Sequence, residues 1–243
     1  NEAVEITDDI TLEKLELPLE NKLSLVKLLQ RYYHLFAKDE YDLGISTVVK
    51  HSIIVNNDIP IAQRPYRIPH ALREECGRQI KGMLDHGIIR QSASPWASPI
   101  VMVKKKEGTL RFCVDYRKLN AMTRKDTYPL PRIDEMLDRL GHAQYFTILD
   151  LQSGFWQIEM EEVDKAKTAF TTGEGLYEFN VLPFGLTGSP PTFQRCMNFV
   201  LMDISHAMVY IDDIIIFSKD FYEHLRDVES VFKRLISGGL KVK

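Results

Sequence analysis

The chain has 243 residues, 44% of them hydrophobic and 10% aromatic, so it can bury the core of one large or two small domains and is not expected to be disordered. Its net charge of −3, from 31 basic and 34 acidic residues, does not by itself indicate a nucleic-acid-binding protein. Three scattered cysteines exclude a C-x-x-C zinc pair and a disulfide framework, and they favour a reducing, intracellular compartment.

The termini and the apolar runs give two further expectations. No run reaches the roughly eighteen apolar residues of a membrane span, and the N-terminus lacks the pattern of a signal peptide, so we expect no membrane partner. Because the first residue is Asn1 rather than Met, we expect either a piece excised from a longer translation product or an incomplete gene model.

Helices and short strands alternate along the predicted chain. Apolar residues at helical spacing predict helices at residues 23–36, 71–87, 131–140, 190–202 and 221–236. Runs rich in β-branched and aromatic residues predict strands at 99–103, 111–116, 145–151 and 176–181, and a hairpin at 209–217. Residues 38–69 are expected to be mostly extended. This mixture of helices and antiparallel hairpins indicates an α+β fold, with a sheet backed by helices.

Charge is unevenly distributed along the chain. Residues 100–132 contain nine basic and three acidic side chains, whereas residues 133–180 contain ten acidic and three basic ones. A basic lobe beside an acidic site suits a polyanion held near metal ions. Two ordinarily solvated faces would give the same pattern, so charge alone leaves both interpretations open.

Three carboxylates lie in apolar surroundings. Asp212 and Asp213 interrupt a run of Val, Ile, Met and Phe at residues 208–217, and Asp150 ends the apolar strand predicted at residues 145–151. Ionised carboxylates in such surroundings need a compensating cation or hydrogen-bond donors. If the two strands are neighbours, the three oxygen-rich side chains converge on a site suited to Mg²⁺. The alternative for the adjacent pair is an exposed hairpin turn.

Four segments together resemble reverse transcriptases of gypsy-type long-terminal-repeat retrotransposons. Residues 146–155, 182–190 and 210–213 are similar to motifs A, B and C of that family, and residues 94–120 are similar to its fingers. The resemblance covers roughly residue 45 to the C-terminus. It implies a right-hand polymerase fold with fingers and palm, the palm being an antiparallel sheet backed by helices, and an RNA-directed DNA polymerase activity.

The resemblance assigns the metal and catalytic residues. Asp150, Asp212 and Asp213 are expected to be catalytic and to hold two Mg²⁺ ions, for which Mn²⁺ can substitute, with the backbone carbonyl of Leu151 as a further ligand. These ions would serve transfer of a deoxynucleotide to a primer 3′-hydroxyl on an RNA or DNA template.

The resemblance also assigns residues to the incoming deoxynucleotide. Their expected roles are phosphate binding, exclusion of a ribose 2′-hydroxyl and contact with the nucleotide; the residues are Lys105, Arg111, Phe155, Phe184, Gly185 and Tyr210. Lys105 could instead belong to a solvated hairpin tip, and Phe155 to the core. Retroviral enzymes usually have Gln at the position of Phe184, so Gly185 and its neighbours are expected to act through backbone shape. Asp115 and Arg117 are expected on one face of a strand, as template-contacting or structural residues.

The domain boundaries also follow from the resemblance. Residues 1–44 are expected to be a linker and helix after a protease, residues 45–133 the fingers with part of the palm, and residues 134–243 the palm, with residues about 160–182 partly in the fingers. The thumb is expected to be absent, because the chain stops at Lys243 before the family's Pro-x-Lys segment. The isolated fragment is therefore expected to polymerise weakly or not at all.

Expected partners are the template with its primer, the deoxynucleotide, and the protease, ribonuclease H and integrase domains of the precursor. The expected location is the cytoplasm, within virus-like particles. Two other functions remain open. One is a catalytically inactive nucleic-acid-binding remnant, although such a scaffold has little use for three repelling carboxylates. The other is another palm-fold phosphoryl transferase, such as a nucleotide cyclase, which leaves the Trp96 stretch, the Lys-rich hairpin and Phe155 unexplained.

Overall fold

The computed structural model describes residues 16–104 and 108–243. These residues form two β-sheets with their helices. The α-helices are α1 (Leu19–Arg31), α2 (His70–Asp85), α3 (Arg117–Met122), α4 (Ile133–Leu140), α5 (Glu162–Lys165), α6 (Ser189–Val200) and α7 (Phe221–Ser237). The strands are β1 (Ile89–Gln91), β2 (Ser98–Lys104), β3 (Leu110–Val114), β4 (Tyr145–Asp150), β5 (Phe170–Thr171), β6 (Leu176–Phe179), β7 (Ala207–Tyr210) and β8 (Asp213–Ser218). The α+β class expected from the sequence is confirmed.

The chain divides into two units by its internal contacts. The first consists of the described residues of Asn1–Gly44 together with Leu130–Gln152 and Met197–Lys243. The second consists of Ile45–Pro129 and Ser153–Cys196, so the chain passes between the units more than once. Within residues 16–104 and 108–243, no helix combines the length and the apolar character that a bilayer span requires.

The sheet of the first unit is antiparallel, in the order β4-β8-β7. Along β8, Ile214, Ile216 and Ser218 are buried while the residues between them are not. This period of two marks a sheet with one covered face. Helix α7 packs against β4 and β8 on that face. The sheet therefore has a fixed backing on one side.

Helix α7 has a capped start and an apolar stripe. The Asp220 side chain accepts hydrogen bonds from the backbone N–H groups of Tyr222 at 3.0 Å and Glu223 at 2.9 Å, a cap that stabilises a helix by about 1 kcal/mol. Its buried apolar residues recur at helical spacing; they are Phe221, Val228, Val231, Phe232 and Leu235. Burial of each contributes about 1.5–3 kcal/mol. The stripe holds α7 on the sheet.

The second unit contains a mixed five-stranded sheet, in the order β1-β6-β5-β2-β3. Strands β2 and β3 form the predicted antiparallel hairpin, and β2 pairs in parallel with β5. The ring of the fully buried Phe170 lies 5.3 Å from that of Phe112, 5.4 Å from that of Phe179 and 5.7 Å from that of Tyr177. Helix α2 packs against β1 and β3. Aromatic packing thus fills the core of this unit.

Some predicted elements differ from the structure. The first helix ends at Arg31 and a 3-10 turn follows at Tyr33–Leu35. Residues 38–69, all of them described and expected to be mostly extended, contain no regular strand and pair only through isolated bridges at His51, Val55 and Ala62. The sequence did not predict β1, β5 or α3; these elements have only three, two and six residues, too few to show a period.

A buried histidine joins the segment before α2 to the start of α6. His51 is 4% exposed, and its Nδ1 lies 2.8 Å from Thr192 Oγ1. Burial lowers the pKa of His51 to about 4, although Asp164 and Asp126 raise it and Arg195 lowers it further. The native state therefore holds this imidazole neutral at pH 7.

This histidine should make folding sensitive to acid. Because the folded pKa lies below the unfolded value, the unfolded chain takes up the proton first, and stability is lost as the pH falls from about 6.5 to about 4. The loss should reach about 3 kcal/mol. Urea unfolding at each pH should give a shallower dependence for His51→Asn, whose amide does not titrate. Equal slopes in the two proteins would contradict this assignment.

Candidate active site

Asp150 and Asp213 are directly opposite each other in the first sheet. Asp150 is the last residue of β4, Asp213 is the first residue of β8, and the two are Cα partners in the antiparallel ladder. Directly opposed side chains lie on the same face of a sheet. The pairing continues without interruption to Tyr145↔Ser218, so the six paired positions fix this register. Two residues 63 positions apart in sequence are thereby brought side by side.

Asp212 lies in the tight turn that joins β7 to β8. Tyr210 pairs with Asp213, which leaves only Ile211 and Asp212 in the turn. Ile211 has a φ of 55°, an unfavourable conformation for a β-branched residue. Such strain is of the order of 1–3 kcal/mol and tends to occur at functional sites. The hairpin turn considered for the Asp pair is therefore present, with Asp212 in it and Asp213 directly after it, opposite Asp150. The metal-binding role of the pair stays a prediction.

Of the three carboxylates, that of Asp212 most needs a cation or a hydrogen-bond donor to offset its negative charge. Among the hydrogen bonds of the described residues, its buried Oδ1 atom has no partner. Burial raises the pKa of Asp212, and the charges of Asp150 and Asp213 raise it further. A buried, unpaired oxygen beside two other carboxylates fits a hard divalent cation, which prefers oxygen ligands. The residues present are therefore suited to hold such an ion.

The three carboxylates are not arranged as a ready-made metal cage. Within residues 16–104 and 108–243, no three His, Cys, Asp or Glu side chains are gathered closely enough to hold a metal ion. Asp150 Oδ2 lies 3.8 Å from Lys243 Nζ, and both side chains are more than half exposed. Exposed ion pairs of this kind are weak, so the contact with Lys243 costs little to break, and the repulsion of the other two carboxylates is what a bound cation would have to offset.

Other predicted site residues surround this edge of the first sheet. Leu151 is buried at 2% exposure and forms an antiparallel bridge with Val242. On either side of that bridge, the backbone N–H of Lys243 donates to the carbonyl of Asp150 at 2.9 Å, and that of Gln152 donates to the carbonyl of Lys241 at 3.2 Å. Tyr210 is half-buried at the end of β7. The last residues of the chain thus hold the end of β4 in place.

The second unit contains the other predicted nucleotide-binding residues. Arg111 is exposed on β3, opposite Val103. Lys105 lies outside the described residues. The Phe155 ring is 7% exposed and lies 5.1 Å from the ring of Phe184 and 5.3 Å from that of Phe193. Phe155 is thus a packed core aromatic, and its role towards a sugar stays a prediction.

The turn before α6 has an unusual backbone. Gly185 is exposed, with a φ of 94°. A side chain here would be strained because of the backbone conformation, although its Cβ would meet only the Val114 carbonyl at 3.5 Å and the Tyr116 ring at 3.7 Å. The Phe184 side chain beside it is 42% exposed. The role of this backbone shape towards a nucleotide stays a prediction.

The prediction for Asp115 and Arg117 was wrong about their local structure. Asp115 follows the end of β3 and Arg117 begins α3, so they do not share a strand. The Arg117 guanidinium donates to both Asp115 oxygens, at 2.8 and 2.7 Å, and Tyr66 Oη donates to one of them at 3.1 Å. Arg117 holds the pKa of Asp115 well below its usual range. This ion pair supports the structural alternative.

Sequence reasoning gave no role to Asn120, the last residue of the fingers-like segment. Its side chain contacts the backbone at both Gly185 and Thr187. In the sequence, Asn120 stands out only as a polar residue inside a motif, and this does not reveal which groups its side chain contacts.

Comparison with known proteins places these features in a family. A family model described as reverse transcriptase (RNA-dependent DNA polymerase) matches residues 103–243. The Retrovirus-related Pol polyprotein from transposon 297 of Drosophila melanogaster is 39% identical over 257 residues, which cover 100% of this chain and 24% of that protein. The corresponding polyprotein from transposon gypsy of the same species is 38% identical over 216 residues, which cover 85% of this chain and 21% of that protein.

The fold agrees with a solved structure from the same group of enzymes. The foamy viral protease-reverse transcriptase in complex with RNA/DNA hybrid has a TM-score of 0.89 and 28% sequence identity, over 96% of this chain and 31% of that chain. The fingers-and-palm fold class expected from the sequence is confirmed. The chain spans less than a quarter of the length of the two polyproteins. The chain therefore belongs to the reverse transcriptase (RNA-dependent DNA polymerase) family and is related to gypsy-type retrotransposon Pol polyproteins.

Proposed function

We propose that this chain carries the nucleotidyl-transfer site of an RNA-directed DNA polymerase. The observation that supports this most directly is the pairing of Asp150 with Asp213, with Asp212 in the adjoining turn. The family match gives the reaction class, because its model is that of an RNA-dependent DNA polymerase. The reaction joins a deoxynucleotide to the 3′-hydroxyl of a primer and releases pyrophosphate.

Asp150, Asp212 and Asp213 would hold two Mg²⁺ ions, or Mn²⁺ in their place, with the Leu151 carbonyl as a further oxygen ligand. When bound, such ions lower the pKa of the attacking hydroxyl and neutralise the leaving pyrophosphate. The three carboxylates alone would repel both a triphosphate and a primer backbone. The three carboxylates could therefore bind a polyanionic substrate only through a cation. The Asp212 oxygen that has no hydrogen-bond partner among the described residues supports this view.

The chain's own residues would position the nucleotide. Arg111 offers a planar pair of donors suited to phosphate oxygens, whereas Lys105 offers a mobile point charge. The turn at Phe184 and Gly185 and the side chain of Tyr210 would contact the nucleotide itself. Phe155 would exclude a ribose 2′-hydroxyl by its bulk. The ring's close packing on Phe184 and Phe193 supports this role, because a rigid aromatic excludes an atom better than a mobile one.

An RNA or DNA template with its primer is the proposed partner. The solved foamy viral relative is in complex with RNA/DNA hybrid, which supports the RNA template. Contacts to the nucleic-acid backbone rather than to base edges would suit a polymerase, which must accept every sequence.

The remaining assignments rest on the family resemblance. We propose residues 45–133 as the fingers with part of the palm, residues 134–243 as the palm, and residues about 160–182 as partly fingers. The protease, ribonuclease H and integrase domains of a Pol precursor are the proposed partners in the same polyprotein, and cytoplasmic virus-like particles are the proposed location.

Replacing Asp212 by Asn tests whether the site is catalytic rather than the remnant of a polymerase. Primer extension by the natural translation product that carries this chain should fall at least about a hundredfold, because one ligand charge is lost from the reacting centre. Asp203→Asn is the matched control, since Asp203 is exposed and has a φ of 68°, which Asn tolerates. Its activity should stay within twofold of wild type. Full activity of the Asp212 variant would refute the proposed function.

Shortening Phe155 to Val tests the sugar-excluding role. Incorporation of ribonucleotides relative to deoxynucleotides should rise about tenfold or more, because space opens beside the 2′ position. Phe193→Leu loosens the same aromatic cluster but keeps the bulk of Phe155, so it should raise the ratio much less than Phe155→Val does. Single-nucleotide extension with each substrate measures the ratio. An unchanged ratio in the Phe155 variant would support the alternative that Phe155 is only a core residue.

A further inference from the structure

The turn from Pro183 to Gly188, which precedes α6, lacks regular secondary structure but is tied to Ser189, the first residue of α6. The Ser189 hydroxyl, fully buried, donates to the carbonyl of Pro183 at 2.9 Å, and the Ser189 N–H donates to the carbonyl of Leu186 at 3.2 Å. Gly185, with its positive φ, allows the chain to reverse between Pro183 and Ser189. The orientation of the peptide groups within the turn needs a further restraint.

Asn120 supplies a restraint at the middle of the turn. Its Nδ2 donates to the Gly185 carbonyl at 2.8 Å, and its Oδ1 accepts from the Thr187 N–H at 2.9 Å. One planar amide thereby fixes a carbonyl and an N–H that are two residues apart. A peptide rotation at Gly185 or Thr187 would break one of these two bonds.

Asn120 is itself rigidly placed. Its backbone N–H donates to the carbonyl of Tyr116, the residue just before α3, at 2.7 Å, and the Leu119 side chain next to it is buried. Tyr116 is buried at 2% exposure and donates through its hydroxyl to the Thr168 carbonyl at 2.7 Å. The backbone that carries the half-buried Asn120 amide is therefore anchored to the core of its unit, so the amide can impose a conformation on the turn.

We propose that Asn120 is a positioning residue that holds the backbone of the Phe184–Gly185 turn in the shape that receives the incoming nucleotide. This rests on the proposed function, which assigns Phe184 and Gly185 to nucleotide contact. The planar amide of Asn120 carries a donor and an acceptor on two neighbouring atoms, so it can donate to Gly185 and accept from Thr187 at the same time. A carboxylate of the same shape would still accept from the Thr187 N–H. Its other oxygen would carry no proton and would therefore repel the Gly185 carbonyl oxygen instead of donating to it.

The test uses Asn120→Asp in the natural translation product that carries this chain, in single-deoxynucleotide extension. The KM for the deoxynucleotide should rise about tenfold while kcat stays within threefold, because the loss falls on nucleotide binding. Asn120→Gln, which keeps both groups on a longer side chain, should recover part of the loss. Asn180→Ala is the matched control, since Asn180 also donates to a glycine carbonyl, that of Gly87 at 2.8 Å. Its KM should stay within twofold of wild type.

The possible failures can be told apart. Equal KM values for Asn120→Asp, Asn180→Ala and wild type, with Asp212→Asn inactive, would overturn the role of Asn120 and leave the proposed function intact. Activity of Asp212→Asn would overturn both. An equal KM rise in Asn120→Asp and Asn180→Ala, accompanied by equal falls in the thermal unfolding midpoint, would show that both variants simply destabilise the fold. That result would overturn the proposal.

Discussion

Repulsion among three carboxylates is the constraint around which the first unit of this protein is organised. Asp150 and Asp213 are cross-strand partners, and Asp212 adjoins them with a buried oxygen that has no hydrogen-bond partner among the described residues. Like charges placed directly opposite each other destabilise a sheet. The arrangement persists because the β4–β8 ladder, the packing of α7 and the bridge between Leu151 and Val242 fix the backbone beneath them.

The two faces of the paired strands β4 and β8 have different roles. On the covered face, Leu149, Ile214 and Ile216 are buried, and hydrophobic burial provides the stability. Asp213 lies on the opposite face of β8 and is exposed, and its cross-strand partner Asp150 is exposed as well. The strained φ of Ile211 adds a local cost at the same turn. Stability from one face thus supports an unfavourable charge arrangement on the other.

Much of this organisation could be predicted from the sequence. The apolar strand ending at Asp150 and the hairpin around Asp212 were predicted, because a run of β-branched and aromatic residues carries its own signal. Their register could not be derived from the residues, since it depends on which strands pair over long sequence distances. The family resemblance supplied the expectation that the carboxylates converge.

Features that depend on tertiary contacts could not be predicted. The contacts of Asn120 with Gly185 and Thr187 join residues more than sixty positions apart, and no local pattern reports them. Asp115 and Arg117 were expected on a strand because their stretch is rich in β-formers. In the structure the strand ends before Asp115, α3 begins at Arg117, and a bidentate ion pair joins the two side chains. Short elements such as β5 form only because β2 and β6 lie on either side.

The claim that three carboxylates share bound cations can be tested directly by crystallising the protein with Mn²⁺ and a deoxynucleoside triphosphate and locating the metal by its anomalous signal. The account predicts a Mn²⁺ site bounded by oxygens of Asp150, Asp212 and Asp213 together, in contact with the triphosphate. A Mn²⁺ site that excludes Asp150, or no Mn²⁺ at this edge of the sheet, would contradict it.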